Sequence, residues 1–418
     1  MGFKSRFFFV AACVLPLVFL FIATATFAEE LPQIPGYLKS IDIELRAKSA
    51  IVYDASNNLV LFEKNADSLY SIASLTKIAT VYVALKAIEE GNFSLHETLD
   101  ISPASYANAQ PAGSSLLFLG PNQNVTGLDL LYGLTVSSGN DAAHAIASII
   151  AGSPTVFVQQ MNELSQSLGM YSTVFVDSSG LGSANKSSAR ELMVLASSMY
   201  KRWEAMSKLL FGRRSFQFPH TENGIMQYNR NTLLDQYDGA DGLKTGYTDE
   251  AGYTFVASAK RNGRRMIVVL LGIEAETREI GYRFRHEQAV QLMDSAFEQF
   301  QLYGISMQDP LITIDGGPAS GAPTNMDFPS TLYLHKSQII SPELSIDTPE
   351  FVSAPVDKGE IIAHMYAMID GNSHRVASLT AKERVERAPW WKNIWFWLRR
   401  LMIPEPAYRG IVRIAPIS

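Results

Sequence analysis

Cysteine is almost absent from this chain: its 418 residues include one, Cys13. That residue sits in an apolar run, Phe7 to Ile22, behind Lys4 and Arg6 and ahead of the small-residue exit Thr24-Ala25-Thr26-Phe27-Ala28. A basic start, an apolar core and a small-residue exit are the layout of an export signal, with cleavage after Ala28, so 1–28 is read as a signal peptide. An uncleaved membrane anchor is the alternative, and either way the remainder is exported. A lipoprotein signal ending at Cys13 would leave too short an apolar core behind Arg6. The processed chain therefore holds no cysteine, which excludes disulfides, thiol catalysis and cysteine metal sites together.

Positive charge is also scarce. The chain has 35 Lys and Arg against 41 Asp and Glu, a formal net charge of -6, so no basic field points to nucleic acid. The 7 histidines, His96, His144, His220, His286, His335, His364 and His374, are scattered, with no pair at ligand spacing on one helix face. No metal and no cofactor are expected. Repeats and low-complexity tracts are missing as well. An exported enzyme without thiol or metal must take its nucleophile from elsewhere.

What the chain does contain is an alternation of strand and helix signals from about Leu45 to Gln301. Ser49–Tyr53 and Leu59–Glu63 read as strands around the turn Ala55-Ser56-Asn57-Asn58. Ala73–Glu90 has apolar residues at helical spacing and stops at Gly91. Ser188-Ala189-Arg190-Glu191 predicts a capping box and a helix to about Tyr200. Tyr253–Lys260 and Arg264–Gly272 predict a hairpin through Asn262-Gly263, and Glu279–Phe300 a long helix. The expectation is an α/β body, 31–303, whose sheet is antiparallel because hairpins join its late strands. After Gly304 the text becomes Gly- and Pro-punctuated, with short β runs such as Thr331–His335, Ile361–Ile369 and Arg375–Leu379. These predict a small all-β sandwich, 306–382.

Three short patterns carry chemistry. Ser74-Leu75-Thr76-Lys77 opens the first helix, with Lys77 one turn after Ser74 on the same face. A lysine whose pKa is lowered by burial or nearby positive charge can take the hydroxyl proton, and a helix N-terminus offers N–H groups to an oxyanion. By itself S-x-x-K means little, since it recurs at Ser183–Lys186 and Ser198–Lys201. Ser138-Gly139-Asn140 lies between the apolar helices Gly127–Val136 and Asp141–Gly152, and S-x-N also recurs, at Ser56–Asn58 and Ser183–Asn185. Lys244-Thr245-Gly246 occurs once, just before the hairpin. In this order, in an exported cysteine-free chain, the three are the elements of penicillin-recognising serine enzymes.

On these residues the chain resembles the low-molecular-mass penicillin-binding proteins that are serine-type D-alanyl-D-alanine carboxypeptidases. The resemblance is supported by Ser138-Gly139-Asn140-Asp141-Ala142, Asn229-Arg230-Asn231 with Leu233, Asp241-Gly242-Leu243-Lys244-Thr245-Gly246 and Ala251-Gly252-Tyr253. It implies a penicillin-binding/serine β-lactamase-like catalytic domain, a β-domain and an amphipathic tail. It departs at Asp177-Ser178-Ser179-Gly180-Leu181, where the family often reads Asn-Pro-His-Gly-Leu, and near Asn185–Lys186, where many members carry a histidine. Residues 404–418 run past the usual end and have no assigned role.

Resemblance and chemistry imply the same roles. Ser74 is the acyl-ester nucleophile, Lys77 its proton acceptor and Ser138 a proton relay. Asn140, Lys244, Thr245, Gly246, Tyr247 and Arg230 bind substrate, with Arg285 a further candidate for its carboxylate. The partners implied are peptidoglycan pentapeptide and, as covalent inhibitors, β-lactams. A D,D-endopeptidase acting on crosslinks shares these residues. A β-lactamase would need an E-x-x-L-N run for deacylation, which is missing between Ser138 and Lys244, and a non-catalytic scaffold would not keep the trio intact.

Tryptophan is rare too, with 5 in the chain. Four of them, Trp390, Trp391, Trp395 and Trp397, crowd into WWKNIWFWLRR. On a helical wheel they share a broad face with Ile394, Leu398, Leu401 and Met402, opposite Lys392, Asn393, Arg399 and Arg400. The run falls short of the roughly 20 apolar residues a spanning helix needs. Residues 389–403 are therefore expected to form a helix lying in the membrane plane, with Trp at the interface and Arg399 and Arg400 meeting anionic headgroups. Packing against a partner protein or the β-domain is the alternative. The expected location is the periplasmic face of the bacterial inner membrane.

Overall fold

A computed structural model describes residues 31–221, 224–312, 314–315, 326–327, 331–347, 352–381, 383–392, 394 and 408–416. Leu31 to Ser418 form one compact unit. The expected signal peptide, 1–28, lies outside the described residues.

The first half folds into β1 (Ser49–Asp54), β2 (Leu59–Lys64), β3 (Tyr70–Ser71), α1 (Thr76–Glu89), α2 (Gly127–Thr135), α3 (Asn140–Ala151), α4 (Pro154–Ser167), β4 (Lys186–Ser187) and α5 (Ala189–Phe211). It continues through β5 (Ser215–Phe218), β6 (Ile225–Tyr228), α6 (Leu233–Gln236), β7 (Ala240–Thr248), β8 (Gly252–Arg261), β9 (Arg264–Ile273) and α7 (Arg278–Glu298). A five-stranded sheet has the order β2-β1-β9-β8-β7, and all its pairings are antiparallel.

Both faces of this sheet are covered, which explains why β1 and β9 are nearly continuous apolar runs. In β1, Ile51 and Tyr53 point into a core shared with α1, α2, α3 and α5. Ala50 and Val52 point the other way, against Ala289, Leu292, Met293 and Ala296 of α7. Side chains alternate across a strand, so two covered faces bury both sets. Helix α1 runs through the core, and eleven of its residues, Thr76 to Leu85 and Ala87, are buried.

The β8–β9 hairpin forms as expected, with Asn262 and Gly263 both at positive φ (48° and 80°), as a two-residue primed turn requires. Three details differ from the sequence expectation. The helix expected from Ala73 begins with a 3-10 turn, Ala73–Leu75, before α1. Ser188 does cap α5, accepting from Glu191 N (3.2 Å), but the Glu191 carboxylate takes Ser172 N and Thr173 Oγ1 instead of closing the box. α5 also continues past Tyr200 to Phe211, through a non-helical residue at Trp203.

The second region comprises β10 (Phe300–Ile312), β11 (Ile314–Asp315), β12 (Met326–Asp327), β13 (Thr331–His335), β14 (Ile340–Asp347), β15 (Val352–Ser353), β16 (Ile361–Ile369), β17 (Asn372–Ala381) and β18 (Tyr408–Pro416). Its main sheet has seven strands in the order β12-β17-β16-β14-β18-β10-β13, and β11 pairs with β15. The limits 306–382 need correction at both ends. The sheet starts at Phe300, and residues 408–416, expected to be an unassigned tail, form β18 between β14 and β10.

The register orients this region. β10 leaves α7 at Phe300, packed on Tyr333 (ring centroids 5.7 Å apart), and reaches its far end where Ile312 pairs with Tyr408. At the near end Tyr333 Oη donates to Asp54 Oδ2 (2.9 Å), and Gln338 Nε2 donates to Tyr37 O (2.9 Å). The β16–β17 turn, at Asp370, is also at the near end, because Ile339 N donates to Asp370 Oδ1 (2.8 Å). β17 thus ends, and β18 begins, at the far end.

Of the expected helix at 389–403, a helical turn is present at Trp390–Lys392. Trp390, Trp391 and Ile394 are 75%, 57% and 51% exposed. Trp395, Trp397, Arg399 and Arg400 lie outside the described residues. No single helix among the described residues is long and apolar enough to cross a membrane.

Candidate active site

The Ser74 turn is held by three parts of the chain. Ile72 N donates to Asn185 O (3.1 Å), and Thr254 Oγ1 of β8 donates to Ile72 O (3.3 Å). Strand β7 comes so close that a Cβ at Gly246 would lie 3.1 Å from Ser74 N and 2.4 Å from Thr254 Oγ1. The glycine of Lys-Thr-Gly is therefore a spacing device that lets backbone meet backbone. Ala73 at φ +48° and Ser138 at φ +61° are both in the left-handed region, a strain commonly stored where a side chain must be aimed.

Lys77 is wholly buried. Its Nζ lies 3.1 Å from Ser74 Oγ and donates to Asn140 Oδ1 (2.8 Å) and Ser179 O (2.5 Å). A neutral amine has two N–H donors and one lone pair; two carbonyl oxygens take the donors, and the lone pair is left for Ser74. Burial brings the Lys77 ammonium down to about 7; Asp177 and Asp141 oppose that shift and Arg230 adds to it. Lys244, whose own charge repels that of Lys77, is a second positive neighbour.

Lys244 is buried on β7, where its Nζ donates to Thr245 O (2.9 Å). Burial first, then the charges of Lys77, Arg230 and Arg285, push its pKa well down. The free site therefore disfavours carrying all its positive charges at once. Ser138 and Asn140 are both buried, at the junction of α2 and α3. Thr245 is buried, whereas Tyr247 is 40% exposed, its ring packed on Tyr253 at 4.5 Å. Arg230 is exposed on the segment after β6. Arg285 is buried with its Nη2 on Arg230 O (3.3 Å) and its guanidinium over Tyr282 (5.2 Å), and burial lowers its pKa to about 10. Of the residues expected at the site, Lys77 is joined to Ser74 by a hydrogen bond and Asn140 to Lys77 by another, Gly246 stands beside Ser74 N, Arg230 and Lys244 act on Lys77 by charge, and Arg285 reaches the Arg230 carbonyl.

The loop Asp177–Asn185, where the sequence departs from the family pattern, also belongs to the site. Gly180 has φ +80°, and a Cβ there would stand 1.8 Å from Ala73 O. Gly180→Ala is expected to cost about 2–3 kcal/mol, lowering the melting temperature by several degrees, and to slow penicillin acylation. An unchanged melting curve together with an unchanged acylation rate would contradict this packing. The signal available in sequence was Asp177 followed by Ser-Ser-Gly, an Asx-turn pattern. Among the described residues no group of three or more His, Cys, Asp or Glu side chains is placed to hold a metal.

Comparison with known proteins agrees with this geometry. A family model described as D-alanyl-D-alanine carboxypeptidase, peptidase S11, matches residues 37–275. The chain belongs to this family. D-alanyl-D-alanine carboxypeptidase DacC of Escherichia coli is 30% identical over 387 residues, 90% of this chain and 92% of that protein. DacF of Bacillus subtilis is 28% identical over 355 residues, 84% of this chain and 88% of that protein. Among solved structures, penicillin-binding protein 5 of Haemophilus influenzae superposes with a TM-score of 0.69 at 27% identity, over 84% of this chain and 100% of that one. Penicillin-binding protein D2 of Listeria monocytogenes, in its ampicillin-bound form, does so with a TM-score of 0.54 at 30% identity, over 62% of this chain and 100% of that one. The carboxypeptidase is thus a serine-type penicillin-binding enzyme, with the antiparallel α/β body and later all-β region expected of it.

Proposed function

We propose that the enzyme removes the terminal D-alanine from peptidoglycan pentapeptide stems at the outer face of the cytoplasmic membrane. The observation that carries this reading is the buried Lys77 Nζ, 3.1 Å from Ser74 Oγ with its two N–H groups occupied. Ser74 Oγ attacks the carbonyl of the penultimate D-alanine while Lys77 accepts the proton. The oxyanion is stabilised by the backbone N–H groups of Ser74 and Tyr247, which the close approach at Gly246 supports. As the tetrahedral centre collapses, the C–N bond to the terminal D-alanine breaks and Ser138 relays a proton to the departing amine. Water then hydrolyses the ester at Ser74; a β-lactam leaves a longer-lived one.

Asn140 spends Oδ1 on Lys77, which leaves its Nδ2 for the substrate's peptide carbonyl. Thr245 and Arg230 receive the terminal carboxylate, with Arg285 fixing the Arg230 segment. The carboxylate also relieves the crowding of positive charge around Lys244. An exopeptidase needs that recognition, and it favours carboxypeptidase over endopeptidase action. The test is release of D-alanine from a muramyl pentapeptide against cleavage of a crosslinked dimer.

The pH dependence follows from Lys77. Its free-enzyme pKa of about 7 makes the working, neutral form scarce in acid. The second-order rate of penicillin acylation is expected to rise about tenfold per unit at low pH and level off above about 7. A profile flat through that range in stopped-flow or gel-labelling measurements would count against Lys77 as the base.

The C-terminal region holds this site away from the bilayer in the proposed reading. Extended β10, with 13 residues, spans about 40 Å at about 3.3 Å per residue. The exposed Trp390, Trp391 and Ile394 with Lys392 follow β17 at the end remote from the Ser74 body. An apolar face rimmed by Lys and Arg suits an anionic lipid surface. Since the chain returns to the sheet as β18, the contact is a segment closed at both ends and not a trailing tail.

A further inference from the structure

The loop that touches Lys77 is shaped by one carboxylate. Asp177 Oδ1 accepts from Ser179 N (2.7 Å), Ser179 Oγ (2.9 Å) and Gly180 N (2.6 Å). Its Oδ2 accepts from Gly182 N (2.8 Å) and Asn185 Nδ2 (2.8 Å). Five donors saturate the roughly four lone-pair sites of a carboxylate, so it is not free to activate water. Burial alone would raise its pKa, but the backbone N–H groups of Gly182, Gly180 and Ser179 hold it below the usual carboxylate range. Asp177 is therefore a fixed negative charge at any pH where the enzyme works.

Both ends of that bonded loop reach the reacting groups. Ser179 O takes one hydrogen of Lys77, Ser178 O accepts from Thr80 Oγ1 (2.6 Å) on the same helix, and Asn185 O receives Ile72 N, two residues before Ser74. We propose that Asp177 is a positioning residue that sets the pH range over which Ser74 can be acylated, by holding the Ser179 carbonyl on Lys77 and adding a negative charge beside it. The proposal rests on the reading of Lys77 as the base.

Four charged groups face Lys77: Asp177 from this loop, Asp141 from α3, Arg230 from the segment after β6, and Lys244 from β7. The two carboxylates favour the ammonium, and Arg230 and Lys244, where charged, oppose it. Asp141 is itself held in place by Leu117 N, Phe118 N and Leu119 N. The sign is then definite. A negative charge stabilises protonated Lys77, raises its pKa and moves the acid limb of acylation to higher pH. Removing that charge moves the limb to lower pH.

The experiment compares penicillin-acylation rates of the full exported chain across pH for wild type, Asp177→Asn and Asp177→Glu. Asparagine keeps the oxygen that serves the Oδ1 donors and loses the charge. Its limb should move down by about half to one unit, so that in acid it is acylated roughly three- to tenfold faster relative to its own plateau than wild type. Glutamate keeps the charge and displaces the loop, so its plateau should fall while its limb stays near the wild-type position. An unmoved limb in Asp177→Asn, or equal displacement in both variants, overturns the proposal. So does failure of Asp177→Asn to fold, shown by melting and by absent label at every pH, because the carboxylate would then be structural. Absence of any limb in wild type would instead sink the assignment of Lys77.

Discussion

Replacing Ser74 by alanine is expected to abolish covalent labelling by fluorescent penicillin and to lower D-alanine release on the order of 10⁴-fold or more. Everything else in the site serves that oxygen. Lys77 is buried beside it, Gly246 is bare so that β7 can approach Ser74 N, and the Asp177–Asn185 loop holds both the lysine and the turn. The variant should fold, since Lys77 keeps Asn140 Oδ1 and Ser179 O as acceptors after the hydroxyl has gone. Lys77→Ala should cost about as much, and the double variant little more than either, because nucleophile and base act as one unit. Label surviving in Ser74→Ala would point to another serine at the site, with Ser138 the first to examine, and would sink the assignment. An additive double variant would separate the two residues chemically.

The three patterns were legible because each is local: four, three and three consecutive residues whose spacing already sets their relative geometry on a helix, a helix junction and a strand. The antiparallel sheet was legible for a similar reason, the Asn262-Gly263 turn announcing the β8–β9 pair. What stayed hidden depended on distant partners. Asp177 reads as a loop residue, and nothing near it in sequence shows that Ser179 O meets an amine a hundred positions earlier. Lys77 is lowered chiefly by its burial among distant segments, with Arg230 adding to it, and neither shows in the residues beside it. α5 looked finished at Tyr200 because its next residues, Lys201 and Arg202, are polar, yet Leu210 and Phe211 return to the core. β18 was missed because a strand separated from β17 by the Trp-rich run has no turn to reveal its partner, and a single short strand without a hairpin signal reads as irregular chain.

That last strand changes how the membrane contact has to be tested. Cutting the chain before Trp390 would remove β18 together with the Trp run, leaving β10 and β14 without the neighbour between them. Loss of membrane binding would then be inseparable from damage to the sheet. Changing Trp390, Trp391, Trp395 and Trp397 to Gln removes apolar surface while keeping length, charge and β18. Partial burial of each Trp in the interface contributes on the order of 1 kcal/mol. Four together amount to about 4 kcal/mol, a shift in partitioning of roughly 10³-fold. The quadruple variant, with mass spectrometry confirming removal of the leader, should move from the membrane to the soluble fraction. Its acylation rate with penicillin in solution should stay at the wild-type value, because the run follows β17, whose last residue lies at the end of the sheet remote from Ser74. Chain-wide damage is the outcome expected of the truncated form alone, seen as a lowered melting temperature. If the quadruple variant stays on the membrane with its leader removed, the Trp run is not the anchor. If it leaves the membrane and loses acylation as well, the β region does more for the active site than hold it at a distance.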